Sequence, residues 1–203
     1  MTGITDWSLV EQAKKECILS EAARAFSRFG FKKTSIDEIA KAAGVAKGTV
    51  YLAAESKEDL FYQALHREVR QWVAEVAKRI DPRIPADELL GQMALFGFER
   101  LEQSPLVKDL LFGKTRELLP LWRERFDELR QLGTRNVEEV LRLGAKQGVF
   151  RKDLEIPMLA VILQDLQIAG YLFHGGRPDD GALLQRFAVG LDLVMNGLRA
   201  TAR

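Results

Sequence analysis

Apolar residues recur along this chain at intervals of three and four. No stretch alternates apolar and polar residues long enough to suggest a sheet, so the pattern predicts an all-α fold. Ile18, Ala22, Phe26 and Phe29 form one stripe of a first helix that starts near Leu9 and that Gly30 ends. Ser35-Ile36-Asp37-Glu38 follows, a serine with a glutamate three residues on. This is the capping-box pattern that fixes the start of a short helix and is worth about 1 kcal/mol. That helix carries Ile36, Ile39, Ala40 and Ala43 and stops at Gly44. A third short helix spans about 46–52. Ser56, with Asp59 three residues on, caps a fourth that runs through Leu60, Phe61, Ala64, Leu65, Val69, Val73 and Val76. Pro82 and Pro85 break it, because each removes a backbone donor and restricts its neighbour. Further helices are predicted at about 86–103, 105–113, 120–147, 156–174 and 180–201. The domain boundary is placed within the fourth helix, with 1–56 as one domain and 57–203 as the other.

The two short helices, joined by a tight turn at Ala43-Gly44-Val45, describe a helix-turn-helix whose second helix faces a DNA major groove. Three details of residues 34–57 add to the pattern. The second of these helices, Lys47-Gly48-Thr49-Val50-Tyr51, has poor intrinsic propensity and must be held by packing of Val45 and Val50, while Gly48 lets a bulky partner approach its backbone. Lys47 and Lys57 both sit in first turns, where a cation opposes the helix dipole unless phosphates dock there. Thr34, Thr49 and Tyr51 supply hydroxyls able to donate to phosphate oxygens.

Charge sharpens this only locally. The 203-residue chain has a formal net charge of +1, which gives no hint of nucleic acid, but residues 28–57 hold six bases against three acids. With 47% hydrophobic and 29% charged residues the chain can bury a core and keep a solvated surface, so disorder throughout is excluded. The single cysteine, Cys17, allows no intrachain disulfide and reads as a small core residue in a reducing compartment. The first nine residues lack the pattern of a secretory signal. The longest apolar run, 158–163, falls far short of the roughly 20 residues of a membrane span, so the expectation is a soluble, cytoplasmic protein with no membrane partner. Catalysis finds no support: His66 and His174 have no metal-ligand spacing to each other or to Cys17, and there is no phosphate-cradling glycine loop or nucleophile triad. No enzyme, metal or cofactor is expected.

From about Lys15 to Leu65, a quarter of the chain, the sequence resembles the DNA-binding domain of the tetracycline-repressor (TetR) family. The resemblance rests on Ile18, Ala22, Phe26, Gly30, Phe31, Thr34, Ser35, Ile39, Ala40, Gly44, Val45, Lys47, Gly48, Thr49, Tyr51, Ser56, Lys57 and Leu60. It implies an N-terminal three-helix DNA-binding domain followed by a helical effector-binding and dimerisation domain, acting as a homodimer on a palindromic double-stranded operator. Lys47, Gly48, Thr49, Tyr51 and Lys57 are then placed at DNA, with Thr34 and Ser35 at the start of the second helix and Ala46 and Leu52 as candidate base contacts. The sequence departs from the family at Ala53 and Ala54, where members carry Tyr or His and then Phe. This puts the tilt of the recognition helix in question and leaves Phe61 or Tyr62 to fill the gap.

The resemblance assigns effector binding and dimerisation to the C-terminal part. Aromatic and thioether residues concentrate over 86–147, giving Met93, Phe96, Phe112, Trp122 and Phe126 as candidate effector contacts, with Gln164 as a polar one; ordinary core is the competing reading of each. Wide apolar stripes on the last two helices give Leu166, Gly170, Phe173, Leu184, Phe187, Leu191 and Met195 as candidate dimer contacts, against the reading of simple monomer core. The functional expectation is a sequence-specific repressor that a small-molecule effector releases from its operator. The alternative is a helical ligand-binding protein whose helix-turn-helix no longer binds DNA, motivated by Ala53, Ala54 and the neutral N-terminal charge.

Overall fold

A computed structural model describes residues 7–112, 115, 123–174 and 182–199. The described residues form α1 (Trp7–Lys33), α2 (Ile36–Ala42), α3 (Lys47–Ala53), α4 (Lys57–Ala77), α5 (Ala86–Gln103), α6 (Pro105–Phe112), α7 (Arg123–Gln147), α8 (Ile156–His174) and α9 (Ala182–Leu198). Among them the extended pairing is confined to an isolated antiparallel bridge between Phe150 and Arg199. The chain is all-α, as its periodicity predicts.

Two compact units divide the chain. The described residues of Met1–Glu68 and Ser104–Pro120 form one, and those of Val69–Gln103 and Leu121–Arg203 the other. The first boundary falls inside α4, and α6 belongs with the N-terminal helices.

In the first unit, α1 buries Ile18, Leu19, Ala22 and Phe26. Gly30 leaves the helical region at φ 75, ψ 164, a conformation open to glycine, and one further turn carries the chain to Lys33. The kink changes the predicted stripe. Phe29 is half-exposed beside the Arg28 guanidinium, and Phe31 takes the inward place, stacked on Phe26 and edge-on to Phe61. The Phe31 N–H, just past the kink, donates to Asp109 Oδ2 of α6 at 3.4 Å, and the Thr115 hydroxyl bonds the same carboxylate. Thus α6, remote in sequence, anchors the chain where it turns toward the helix-turn-helix.

In the second unit, Ala86, Leu89 and Leu90 of α5, Val140 and Leu141 of α7, Phe150, Ala160 of α8, and Met195 and Leu198 of α9 form one buried cluster. The proline-bearing turn ahead of α5 is held by Gln147 at the end of α7. Its amide Nε2 donates to the carbonyls of Pro82 and Ile84, and its Oε1 accepts from the Ala86 N–H, an otherwise orphaned donor in the first turn of α5. Within the turn, the Arg83 side chain and N–H beside Asp81 hold that carboxyl down at about 2. At the other end of α5, the buried Tyr171 hydroxyl of α8 donates to the Leu101 carbonyl at 3.2 Å.

Candidate nucleic-acid interface

The α2–α3 pair is assembled as the sequence predicts. The Ser35 hydroxyl accepts from the Glu38 N–H and the Glu38 carboxylate accepts from the Ser35 N–H, a complete capping box. The Ser35 N–H and then its hydroxyl hold the Glu38 carboxyl below the usual glutamate range. At the turn, Ala43 N–H donates to Ile39 O and Val45 N–H to Ala40 O, with Gly44 at φ 66. Val50 is buried and pins α3 to the domain, while Ala46, Lys47, Gly48, Tyr51 and Leu52 are exposed and Thr49 is half-buried. Leu52 is 88% exposed, and open space lies over the Gly48 Cα. A short helix that buries one side chain and displays a tyrosine, a leucine and a lysine is built to meet a partner.

Three predicted DNA contacts look different in three dimensions. Thr34 is 2% exposed, and its hydroxyl donates to the carbonyls of Gly30 (2.9 Å) and Ala25 (3.2 Å). It secures the kink and has no proton to give a phosphate, which corrects the expectation. The Ser35 hydroxyl also donates to Glu38 Oε2, so this side chain serves the cap first. Lys57 is half-buried, with its ammonium 4.6 Å from the Phe31 ring centroid and 3.4 Å from the Lys32 carbonyl; it lies folded on the domain instead of extended. Lys47 remains exposed, with Nζ 2.8 Å from Asp37 Oδ2. That hydrogen bond, then the carboxylate charge, raises its pKa.

The alanines at 53 and 54 do not leave α3 loose. Ala54 is buried and its N–H donates to Val50 O. Gln63 Nε2 donates to the Ala53 carbonyl and to Asp59 Oδ2, both at 2.9 Å. The Ser56 hydroxyl accepts from the Asp59 N–H and so caps α4 as expected. Phe61 is fully buried with Phe26 and Phe31, and Tyr62 is buried too. Sequence reasoning missed the parts played by Gln63 and Asp37; the pairing of each spans ten residues and a helix boundary, where no periodicity points.

The effector candidates separate. Met93 and Phe96 line a shallow pocket of the second unit together with Val76, Arg79, Ile80 and Leu89. Phe96 is buried beneath two guanidiniums, Arg79 at 4.1 Å and Arg100 at 4.9 Å from its centroid, and Arg100 also pairs with Glu75. Phe112 lies on α6, in the first unit, and is not brought together with these residues within either unit. Trp122 and the Phe126 side chain lie outside the described residues. Gln164 of α8 packs over Gly133 of α7, and its buried Oε1 has no hydrogen-bond partner among the described residues.

Of the dimer candidates, Leu166 is exposed and Gly170 half-buried. The side chains of Phe173, Leu184, Phe187 and Leu191 lie outside the described residues. Met195 is corrected: at 5% exposure it belongs to the core cluster of its own chain, buried with residues of α5, α7 and α8. Apolar residues outside those seven are displayed instead, Met158 and Ile162 two turns and one turn before Leu166 on α8, and Val189 and Leu193 on α9. Among the described residues no helix is long and apolar enough to cross a membrane, and no cluster of three His, Cys, Asp or Glu could hold a metal.

Residues 18–64 match the model of the bacterial regulatory proteins of the tetR family. The chain is 31% identical over 129 residues to the uncharacterized HTH-type transcriptional regulator YhgD of Bacillus subtilis, a match spanning 64% of this chain and 60% of that one. It is 30% identical over 190 residues to the HTH-type transcriptional repressor Rv1474c of Mycobacterium tuberculosis, covering 92% of this chain and 94% of that one. The fold is similar to that of the transcriptional regulator FadR from Bacillus subtilis, solved in complex with stearoyl-CoA, with a TM-score of 0.69 at 19% identity over 91% of this chain and 99% of that one. With the exposed recognition helix, its capped partner and near-complete alignment to Rv1474c, the chain belongs to the tetR family of bacterial regulatory proteins.

Proposed function

We propose that this transcriptional regulator is a repressor that occupies a palindromic operator as a homodimer and leaves it when a small molecule binds the second unit. The observation that carries the DNA half of this reading is the exposure of Lys47, Tyr51 and Leu52 on a helix held from behind by Val50. Lysine and tyrosine give a phosphate contact each, and Leu52 and Ala46 offer apolar surface to a thymine methyl. Apolar residues exposed on both α8 and α9 support the dimer, because such stripes are costly to leave in water and an obligate interface often buries more than about 2,000 Å².

The effector half rests on the pocket at Met93 and Phe96. Its lining is mainly apolar and includes Arg79, whose guanidinium lies over the Phe96 ring, a combination that favours a ligand with an apolar body and an acidic head. The chain passes between the two units within α4 and again on either side of α6, so a change in the second unit is transmitted through covalently continuous elements. A coupling of about 1–3 kcal/mol weakens operator binding roughly 5- to 150-fold.

The test is a reporter gene driven by the DNA upstream of the protein's own coding sequence, paired with an anisotropy titration of the same duplex. The chain is expected to silence the reporter and bind saturably, and stearoyl-CoA serves as the first effector probe. Activation of the reporter overturns repression. Operator affinity that no apolar acid changes at fixed salt overturns the switch.

A further inference from the structure

Residues 28–57 carry three acids among their six bases, and the acids differ in what they do. Glu38 closes the capping box of α2. Glu55 is exposed in the turn before α4. Asp37, the second residue of α2, reaches across the helix-turn-helix to Lys47, the first residue of α3, with Oδ2 2.8 Å from Nζ. The two side chains retain 68% and 51% of their exposure. A pair this wet contributes little to folding, because water screens the attraction and two flexible side chains are ordered to make it. Neither helix depends on it: Ser35 caps α2, and buried Val50 holds α3. Its one strong effect is to occupy the ammonium group that the DNA reading gives to a phosphate.

We propose that Asp37 is a built-in competitor for the operator backbone: its carboxylate holds Lys47 in the free protein, yields it to a phosphate oxygen when the duplex docks, and so sets the affinity of the reading head below what its lysines alone would give. The proposal rests on the reading of Lys47 as a phosphate contact. Docking then exchanges one oxyanion partner of Lys47 for another, so the gain is only the difference between two charge-assisted bonds. The released carboxylate also stays on the face that meets the anionic duplex, where like charges repel. Phosphate contacts carry no sequence information, so the same loss applies to any duplex. A moderated affinity keeps the operator complex in the range that an effector coupling of about 5- to 150-fold can empty. Asp37 is thus a positioning residue that acts on DNA through Lys47.

The experiment is a double-mutant cycle on the full-length chain at fixed salt. Anisotropy is read on a duplex that the wild type selects from a randomised pool and on a scrambled duplex of equal length. Lys47→Gln is expected to weaken binding. Asp37→Asn is expected to tighten it about two- to five-fold on both duplexes, the scale of an exposed ion pair. Adding Asp37→Asn to Lys47→Gln is expected to tighten binding by clearly less than it does in the wild type, because only the repulsion remains, and Asp37→Glu, which keeps the charge, is expected to stay near wild type. All variants are checked for a cooperative thermal transition.

Equal tightening by Asp37→Asn with and without Lys47 overturns the proposal in favour of general repulsion. Unchanged or weaker binding by Asp37→Asn alone overturns it in favour of a structural role, and leaves the phosphate reading standing if Lys47→Gln still weakens binding. A neutral Lys47→Gln removes the phosphate contact itself and takes the proposal with it.

Discussion

Thr34 and Leu52 sit at opposite extremes of exposure although both lie in the segment that suggested DNA contact. The sequence gives the hydroxyl at 34 but not its direction, which follows the kink at Gly30 one turn earlier: the carbonyls of Ala25 and Gly30 lie within 3.2 Å of Oγ1. Thr34→Val is therefore expected to cost about 1 kcal/mol in denaturant unfolding, because two part-buried carbonyls lose their shared hydroxyl donor. It should leave DNA affinity at fixed salt unchanged, whereas loss of a phosphate contact at this position would weaken it. Leu52, at 88% exposure, supports no packing. Leu52→Ala should move stability by less than about 0.5 kcal/mol while altering which duplexes a randomised pool yields. A Leu52 variant with wild-type sequence preference would exclude it from base reading. Met195 makes the same point about direction in reverse: an apolar stripe on α9 reads as interface or core equally well until its neighbours are known, and Met195 falls in one buried cluster with residues of α5, α7 and α8.

At the scale of elements, caps and breakers were legible because they are local. The Ser35–Glu38 box, the Ser56 cap of α4 and the limits of α5 and α8 all follow from signals within a few residues of the boundary. What joins elements was not. Gln147 pins the turn before α5 from more than sixty residues away, and Asp109 of α6 holds the Phe31 N–H across 78. No spacing rule reaches that far. The capping box carries a pH signature. The folded state holds Glu38 below its ordinary value, so its contribution is fully present at neutral pH and is lost as the pH falls from the usual glutamate range through that lowered value. Ser35→Ala should cost about 1 kcal/mol at neutral pH and flatten the acid limb of the stability curve only in part, because alanine keeps the N–H that does most to hold Glu38 down. An unaltered acid limb, measured by denaturant titration across pH, would place the sensitivity elsewhere. Asp109→Ala is expected to loosen the kink, giving faster amide exchange at Phe31 and weaker operator binding. Unchanged exchange there would show that α6 does not hold the reading head.

For the molecule as a whole, family membership was readable from a quarter of the sequence, because the helix-turn-helix needs particular residues at particular turns. The C-terminal part was readable only as helices, since many apolar sequences fill a bundle equally well. Its proposed roles turn on exposed side chains that the single chain does not use. Val189 and Leu193 are 60% and 69% exposed, so Leu193→Glu should spare the fold of the protomer and shift sedimentation from twice the 22.9 kDa chain mass toward a single copy. A wild-type chain that sediments as a monomer at all concentrations would refute the dimer. Whether α3 meets a DNA backbone through Lys47 is read from the slope of log affinity against log salt on a selected duplex. A steep negative slope is expected, which Lys47→Gln makes shallower by about 0.9 per chain bound. A slope that is flat, or the same in wild type and Lys47→Gln, would contradict it.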